Sequence, residues 1–169
     1  NRPKELSGDD VDIKDVIDDF LRSIDLMNGK IPEMIALIQP TSPFVLPEHI
    51  DSCIKALDDD QKAGSSQTIA PCPHNSHAYN QRVVDKEGYV RFRFEEYRKE
   101  SYNKQKKPIH YLFGNVLVFR TLSMLEQQSV FPTPSSAVEI EISYAFDADG
   151  PEDFVLGCAI VKNNLVSIN

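Results

Sequence analysis

The sequence predicts an α/β fold, and three observations predict it. Met34-Ile35-Ala36-Leu37-Ile38 is a short apolar run that does not alternate, which reads as a strand buried on both faces. After Pro47, Ile50, Cys53, Ile54 and Leu57 recur at i, i+3, i+4 and i+7, an amphipathic helix with the proline near its first turn. Further strand-like runs at Ser66–Ala70 and Tyr111–Arg120 are interleaved with segments of helical period. Ligands of such sheets sit beyond the carboxyl ends of the strands. The loop Gln39-Pro40-Thr41-Ser42-Pro43, between the first strand and its helix, therefore lies where chemistry is expected. The same residues also make a rigid turn: two prolines fix φ, and two hydroxyls satisfy nearby backbone groups.

The remaining elements follow in order. Arg2 to Asp10 is polar and turn-like. Ile13, Val16, Ile17, Phe20, Leu21 and Ile24 then recur at helical spacing, with Asp9 or Asp10 as the cap and Asn28-Gly29 as the stop. Pro71-Cys72-Pro73-His74 follows the second strand. His74 and His77 have a spacing that suits metal on a helix, but the flanking prolines oppose a helix and no third ligand is evident. They read as a polar loop. Gln81–Val84 and Tyr89–Phe92 form a hairpin, with Gly88 supplying the positive φ of its turn.

From Phe92 to Lys107 the chain is highly charged, with Phe94, Tyr97 and Tyr102 interspersed. Glu95, Glu96 and Glu100 among the basic residues point to a solvated arm or interface rather than a nucleic-acid surface. Thr121 to Gln128 is a short helix, and Val138–Ile142 alternates as a half-buried strand. Asp147 and Asp149 stand two apart in an extended segment, so both carboxylates point the same way. They form a hard-oxygen pair for Mg²⁺. Alternatively, Asp149 caps the helix that Pro151 begins, and Asp147 is merely solvated. That last helix has Phe154, Val155, Cys158, Ile160 and Val161 as its apolar face.

The 169 residues suffice for one domain with a core, and a hydrophobic content of 41% is ordinary for a globular protein. A net charge of −8 argues against nucleic acid as a partner. No apolar run reaches the roughly 20 residues that a membrane helix needs, and no signal peptide is evident. Three cysteines without a CxxC pair suggest reduced thiols and a cytoplasmic setting, with Cys53 and Cys158 on apolar helical faces.

Several stretches, in order, resemble the CMP-sugar-acid cytidylyltransferase family, the N-acylneuraminate cytidylyltransferase or CMP-sialic acid synthetase type. They are Arg2-Pro3 with Leu6, Asp9 and Asp15-Val16-Ile17; LIQPTSPFVLPEHIDSCIKAL from Leu37 to Leu57; Gly114 within its strand, followed by Ser129-Val130-Phe131; and Asp147, Asp149 and Asp153. The resemblance implies a nucleotide-diphospho-sugar transferase-like, Rossmann-type fold, with a mixed, mostly parallel sheet flanked by helices. Residues 80–110 would project as a dimerisation arm. The implied reaction is CMP transfer from CTP to a sialic-acid-type, nine-carbon sugar acid, releasing pyrophosphate, in a cytoplasmic homodimer.

Asp147 and Asp149 would be catalytic and hold Mg²⁺. Arg2, Gln39, Thr41, Ser42, Asn115 and Phe131 would bind substrate, while Lys104, Lys106 and Lys107 would reach the partner subunit's site. Phe113 stands where the family has an asparagine before its glycine, and Leu117 where a tyrosine is common. Both fall near the implied sugar-acid pocket, so Kdo, legionaminic and pseudaminic acid stay open as acceptors. Nothing here resembles the family's N-terminal basic, glycine-containing loop that cradles the triphosphate. The expectation is one N-terminally incomplete domain over 1–169, inactive without that loop. The competing expectation is a non-catalytic homologue acting as a dimer partner.

Overall fold

The computed structural model describes residues 2–8, 10–101, 103 and 107–167. The elements run α1 (Ile13–Asn28), β1 (Met34–Leu37), α2 (Pro47–Asp59), β2 (Ser65–Pro71), β3 (Arg82–Val84), β4 (Val90–Phe92), α3 (Glu95–Glu100), β5 (Tyr111–Arg120), α4 (Thr121–Gln127), β6 (Ser135–Glu139) and α5 (Pro151–Lys162). Asp12 caps α1 by accepting the Lys14 N–H at 2.9 Å. It displaces Asp10 in that role because it directly precedes the first helical residue, and Asp9 lies outside the described residues. Gly29 ends the helix at φ +62°, a left-handed conformation that glycine adopts without steric cost.

The main sheet has the order β1-β5-β2-β6. β1 and β2 both pair antiparallel with β5, and β2 pairs parallel with β6. Three strands thus share one direction, as expected, but two of the three ladders are antiparallel. The cause is the connection after β2. The chain leaves at the carboxyl end of β2, makes its excursion, and re-enters as β5 from that same end. Among the described residues β1 has a strand partner only through β5, so it is an edge strand, partly exposed rather than buried on both faces.

Two cores hold helices against the sheet. On one face Ile17 and Leu21 of α1 meet Leu117, Phe119, Met124 and Val130. On the other, Cys53 and Leu57 of α2 meet Ala63, Val116 and Val118. Alternation along β5 produces this split, because odd and even positions face opposite ways. Burying a large apolar side chain contributes about 1.5–3 kcal/mol, against about 1 kcal/mol net for a hydrogen bond. These contacts, more than the ladders, fix the helices.

Two elements depart from the sequence reading. β6 begins at Ser135 and not Val138, because pairing with Ser65–Ile69 draws Ser135 and Ser136 into the ladder. Ile142 then belongs to a 3-10 turn, Ile142–Tyr144. In α5 only Ile160 is fully buried, whereas Phe154, Val155 and Leu156 are exposed. Its apolar residues run round the helix and do not form one face.

The stretch 80–110 leaves the main sheet. β3 and β4 form a separate two-stranded sheet, Arg82↔Phe92 to Val84↔Val90, turning at Gly88 with φ +88°. Its root is a ring cluster: His77 stacks on His110 at 4.1 Å, and Tyr79 on Tyr97 at 5.4 Å. His77 is buried, and both its nitrogens are used. Nδ1 accepts the Tyr79 N–H, so Nε2–H donates to the Pro108 carbonyl at 3.0 Å. It lies in the loop, as expected, and ties that loop to the base of the arm.

Candidate functional site

Two loops leave the same end of the sheet, the carboxyl ends of β1 and β6. The first carries Gln39-Pro40-Thr41-Ser42-Pro43. It turns where the Ser42 N–H reaches the Gln39 carbonyl at 3.0 Å, leaving Gln39 exposed and Ser42 buried. The second carries Phe146-Asp147-Ala148-Asp149. The Ala148 N–H donates to the Thr41 carbonyl at 2.8 Å, which joins the loops at their tips. Behind that bond, the Phe44 and Phe146 rings meet at 5.3 Å. Gly157 of α5 makes room, since a Cβ there would lie 3.2 Å from the Phe146 ring. An apolar cleft of about 440 Å³ opens beside the rings, with Pro40, Ala148 and Phe154 in its wall.

Ala148 lines this cleft, whereas its neighbours Asp147 and Asp149 do not. Both are exposed, and neither carboxylate has a hydrogen bond or ion pair among the described residues. The helix-cap alternative for Asp149 does not hold. The N-cap is Gly150, and the Asp153 carboxylate reaches back to the N–H groups of Asp149 and Gly150 at 3.0 and 2.8 Å. Asp153 therefore secures the loop to α5 and leaves the other two acids to solvent. Among the described residues no three acidic, histidine or cysteine side chains converge as a closed metal cage. Two bare carboxylates still fit Mg²⁺, which keeps several waters and takes one or two carboxylates plus phosphate oxygens.

The roots of the loops meet on Asn115, expected as a substrate contact, which is buried and does not line the cleft. Its Nδ2 lies 3.3 Å from the Phe44 carbonyl, 3.0 Å from the Tyr144 carbonyl and 3.1 Å from His49 Nδ1. A bulge aims it there. Between the pairs Gln67↔Leu117 and Ile69↔Phe113, three residues of β5 face Thr68 alone. Thr68 Oγ1 accepts the N–H groups of Asn115 and Val116 at 2.8 and 2.9 Å, replacing the broken ladder. Gly114 permits the approach: a Cβ there would sit 2.4 Å from that oxygen. The buried His49 accepts the Leu46 N–H at Nδ1, and burial lowers its pKa against the opposing effects of Glu48 and the Asn115 bond.

The other expected residues are more scattered. Phe131 is half-exposed and meets Phe113 edge-to-face at 6.4 Å. Arg2 is exposed, ahead of the 3-10 turn Lys4–Leu6, which shares a cavity of about 230 Å³ with Asp15 and Arg22 of α1. Lys104 and Lys106 lie outside the described residues, as does Tyr102. Lys107 donates to Asn80 Oδ1 at 2.6 Å, and partial burial, then Arg98 and Arg82, lower its pKa. Sequence reasoning missed His49, Thr68 and Tyr144. Only His49 left a signal, a polar residue three positions after the Leu46 that caps α2.

The solved structure of CMP:2-keto-3-deoxy-manno-octonic acid synthetase complexed with CTP aligns at a TM-score of 0.55. The alignment covers 92% of this chain and 70% of that one, at 11% identity. This chain shares that synthetase's fold. No protein-family model matches the sequence, and no curated protein matches it either. No helix among the described residues is long and apolar enough to cross a membrane.

Proposed function

We propose that this protein is a cytidylyltransferase that transfers CMP from CTP to a sialic-acid-type sugar acid. The observation that carries the reading is the joined pair of loops. The bond from Ala148 to Thr41 joins the loop of the exposed Gln39 to the loop of two uncommitted carboxylates, which supports a ligand site at the sheet end where α/β ligands bind. The shared fold with a CTP-complexed synthetase supports it.

In this reading the anomeric hydroxyl of the acceptor attacks the α-phosphorus of CTP and gives up its proton to solvent, the bond to the bridging oxygen breaks, and pyrophosphate leaves. Asp147 and Asp149 would hold Mg²⁺, which would neutralise phosphate charge when bound. Gln39 and Thr41 orient substrate from the first loop, with Ser42 securing the turn behind them. Phe131, Arg2 and, from the partner subunit, Lys104 and Lys106 complete the contacts. The hairpin exposes Val84, Tyr89 and Val90, a surface suited to dimerisation through the arm.

The test is product formation by the full-length polypeptide from labelled CTP, offered N-acetylneuraminic, Kdo, legionaminic and pseudaminic acids in turn. CMP-sugar and equimolar pyrophosphate with one acceptor support the reading. No product with any acceptor, from a folded dimer, favours the non-catalytic homologue.

A further inference from the structure

The loops that carry the proposed site touch at their tips through a single backbone bond, Ala148 N–H to Thr41 O. A lone hydrogen bond near solvent contributes about 1 kcal/mol, too little to fix two loops. Their roots are better held. Asn115 shares its two amide hydrogens among the carbonyls of Phe44 and Tyr144, one at the root of each loop, and His49 Nδ1. Its Oδ1 takes the Thr68 hydroxyl at 3.2 Å. A flipped carboxamide would set its oxygen against two carbonyls, so the orientation is determined.

We infer that Asn115 is a positioning residue, which clamps the Gln39 loop to the Asp147–Asp149 loop and does so only while His49 is neutral. The Leu46 N–H and the Asn115 amide both point at His49 Nδ1. A proton on Nδ1 would turn the acceptor into a third donor, which strips the Leu46 N–H of its partner and repels the Asn115 amide from its place between the two carbonyls. Glu48 on α2 is the charged group acting on this imidazole, and the Tyr144 ring meets it edge-on at 5.2 Å. Burial keeps the imidazole neutral below the ordinary value of 6.5, so the clamp is closed at neutral pH and opens in acid. The inference rests on the proposed function only for what the clamp is for; its geometry stands alone.

Amide hydrogen exchange on the 169-residue chain tests it without any ligand. The probe is the protection factor of Ala148, with Val118 in the sheet as reference. On the unmodified chain, Ala148 protection should fall at least tenfold between pH 7 and pH 4, while Val118 keeps its own. His49→Leu should show the low value already at pH 7. His49→Asn, which places an acceptor near the lost Nδ1, should restore protection and abolish the pH dependence.

Ala148 protection that is unchanged with pH, or unchanged in folded His49→Leu, overturns the inference. If His49→Leu fails to fold, the wild-type pH series decides alone. Mg²⁺·CTP titrations of the same variants, made in the full-length protein, separate the two claims. A clamp that opens as described in a protein that binds no CTP sinks the proposed function and leaves the clamp. CTP binding with an unresponsive Ala148 does the reverse.

Discussion

Asp153 determines what Asp147 and Asp149 are available to do. Its carboxylate takes the two backbone donors at the start of α5, a task that a carboxylate at the third helical position performs well. Asp153→Ala should therefore cost about 1 kcal/mol, as capping losses do, whereas Asp149→Asn should stay within about 0.5 kcal/mol, as exposed substitutions do. Urea unfolding midpoints of the two variants check this ordering, and equal losses would return Asp149 to the helix end. Thr68 is a second residue with a defined task. Thr68→Val keeps the shape but leaves the buried N–H groups of Asn115 and Val116 without their acceptor. Each orphaned donor costs about 1–3 kcal/mol. The same denaturation should show a loss of several kcal/mol, and a loss below 1 kcal/mol would mean the bulge finds other partners.

At the scale of elements, the junction of α2 with β5 makes stability depend on pH in a definite direction. Burial depresses the folded pKa of His49 below 6.5. Above that value both folded and unfolded imidazoles are neutral, and the contribution is complete. As pH falls below it, the unfolded chain takes up the proton first, so stability declines until the folded pKa is reached. Comparing wild type with His49→Asn across pH 8 to 4 isolates this slope from that of the carboxylates. The wild type should lose stability faster below pH 6.5, and parallel curves would contradict the assignment. The arm makes a separate prediction. Its hairpin shows apolar side chains to solvent, so light scattering at micromolar concentration should give about twice the 19.1 kDa of one chain. Val90→Lys should shift that mass to the monomer, and a wild-type monomer would leave the hairpin without its proposed partner.

The whole molecule was legible in the sequence to the extent that local pattern decides structure. The run at Met34, the period after Pro47 and the Asn28-Gly29 stop gave elements within a few residues, because their signals are apolar spacing and turn chemistry. Strand direction was not legible in this way. β5 runs against its neighbours because the chain re-enters the sheet from the arm's end, a long-range fact with no local signature. Ser135 and Ser136 have little apolar pattern and join β6 only because β2 offers them a ladder. At the site, the acidic pair and the Gln39 loop could be read from residue type, but the place of Asn115 could not. A bulge opposite Thr68 turns it inward, and a bulge is a property of two strands in register.

The proposed metal-assisted CMP transfer by these joined loops stands or falls on the two acids. CMP-sugar formation is followed in the full-length polypeptide, for wild type, Asp147→Asn and Asp149→Asn, across a Mg²⁺ titration. The loss of one of two hard ligands weakens both metal affinity and phosphate positioning. Rates should fall by orders of magnitude in both variants and recover partly at high Mg²⁺, with unfolding midpoints unchanged. Wild-type rates at ordinary Mg²⁺ in both variants would contradict it.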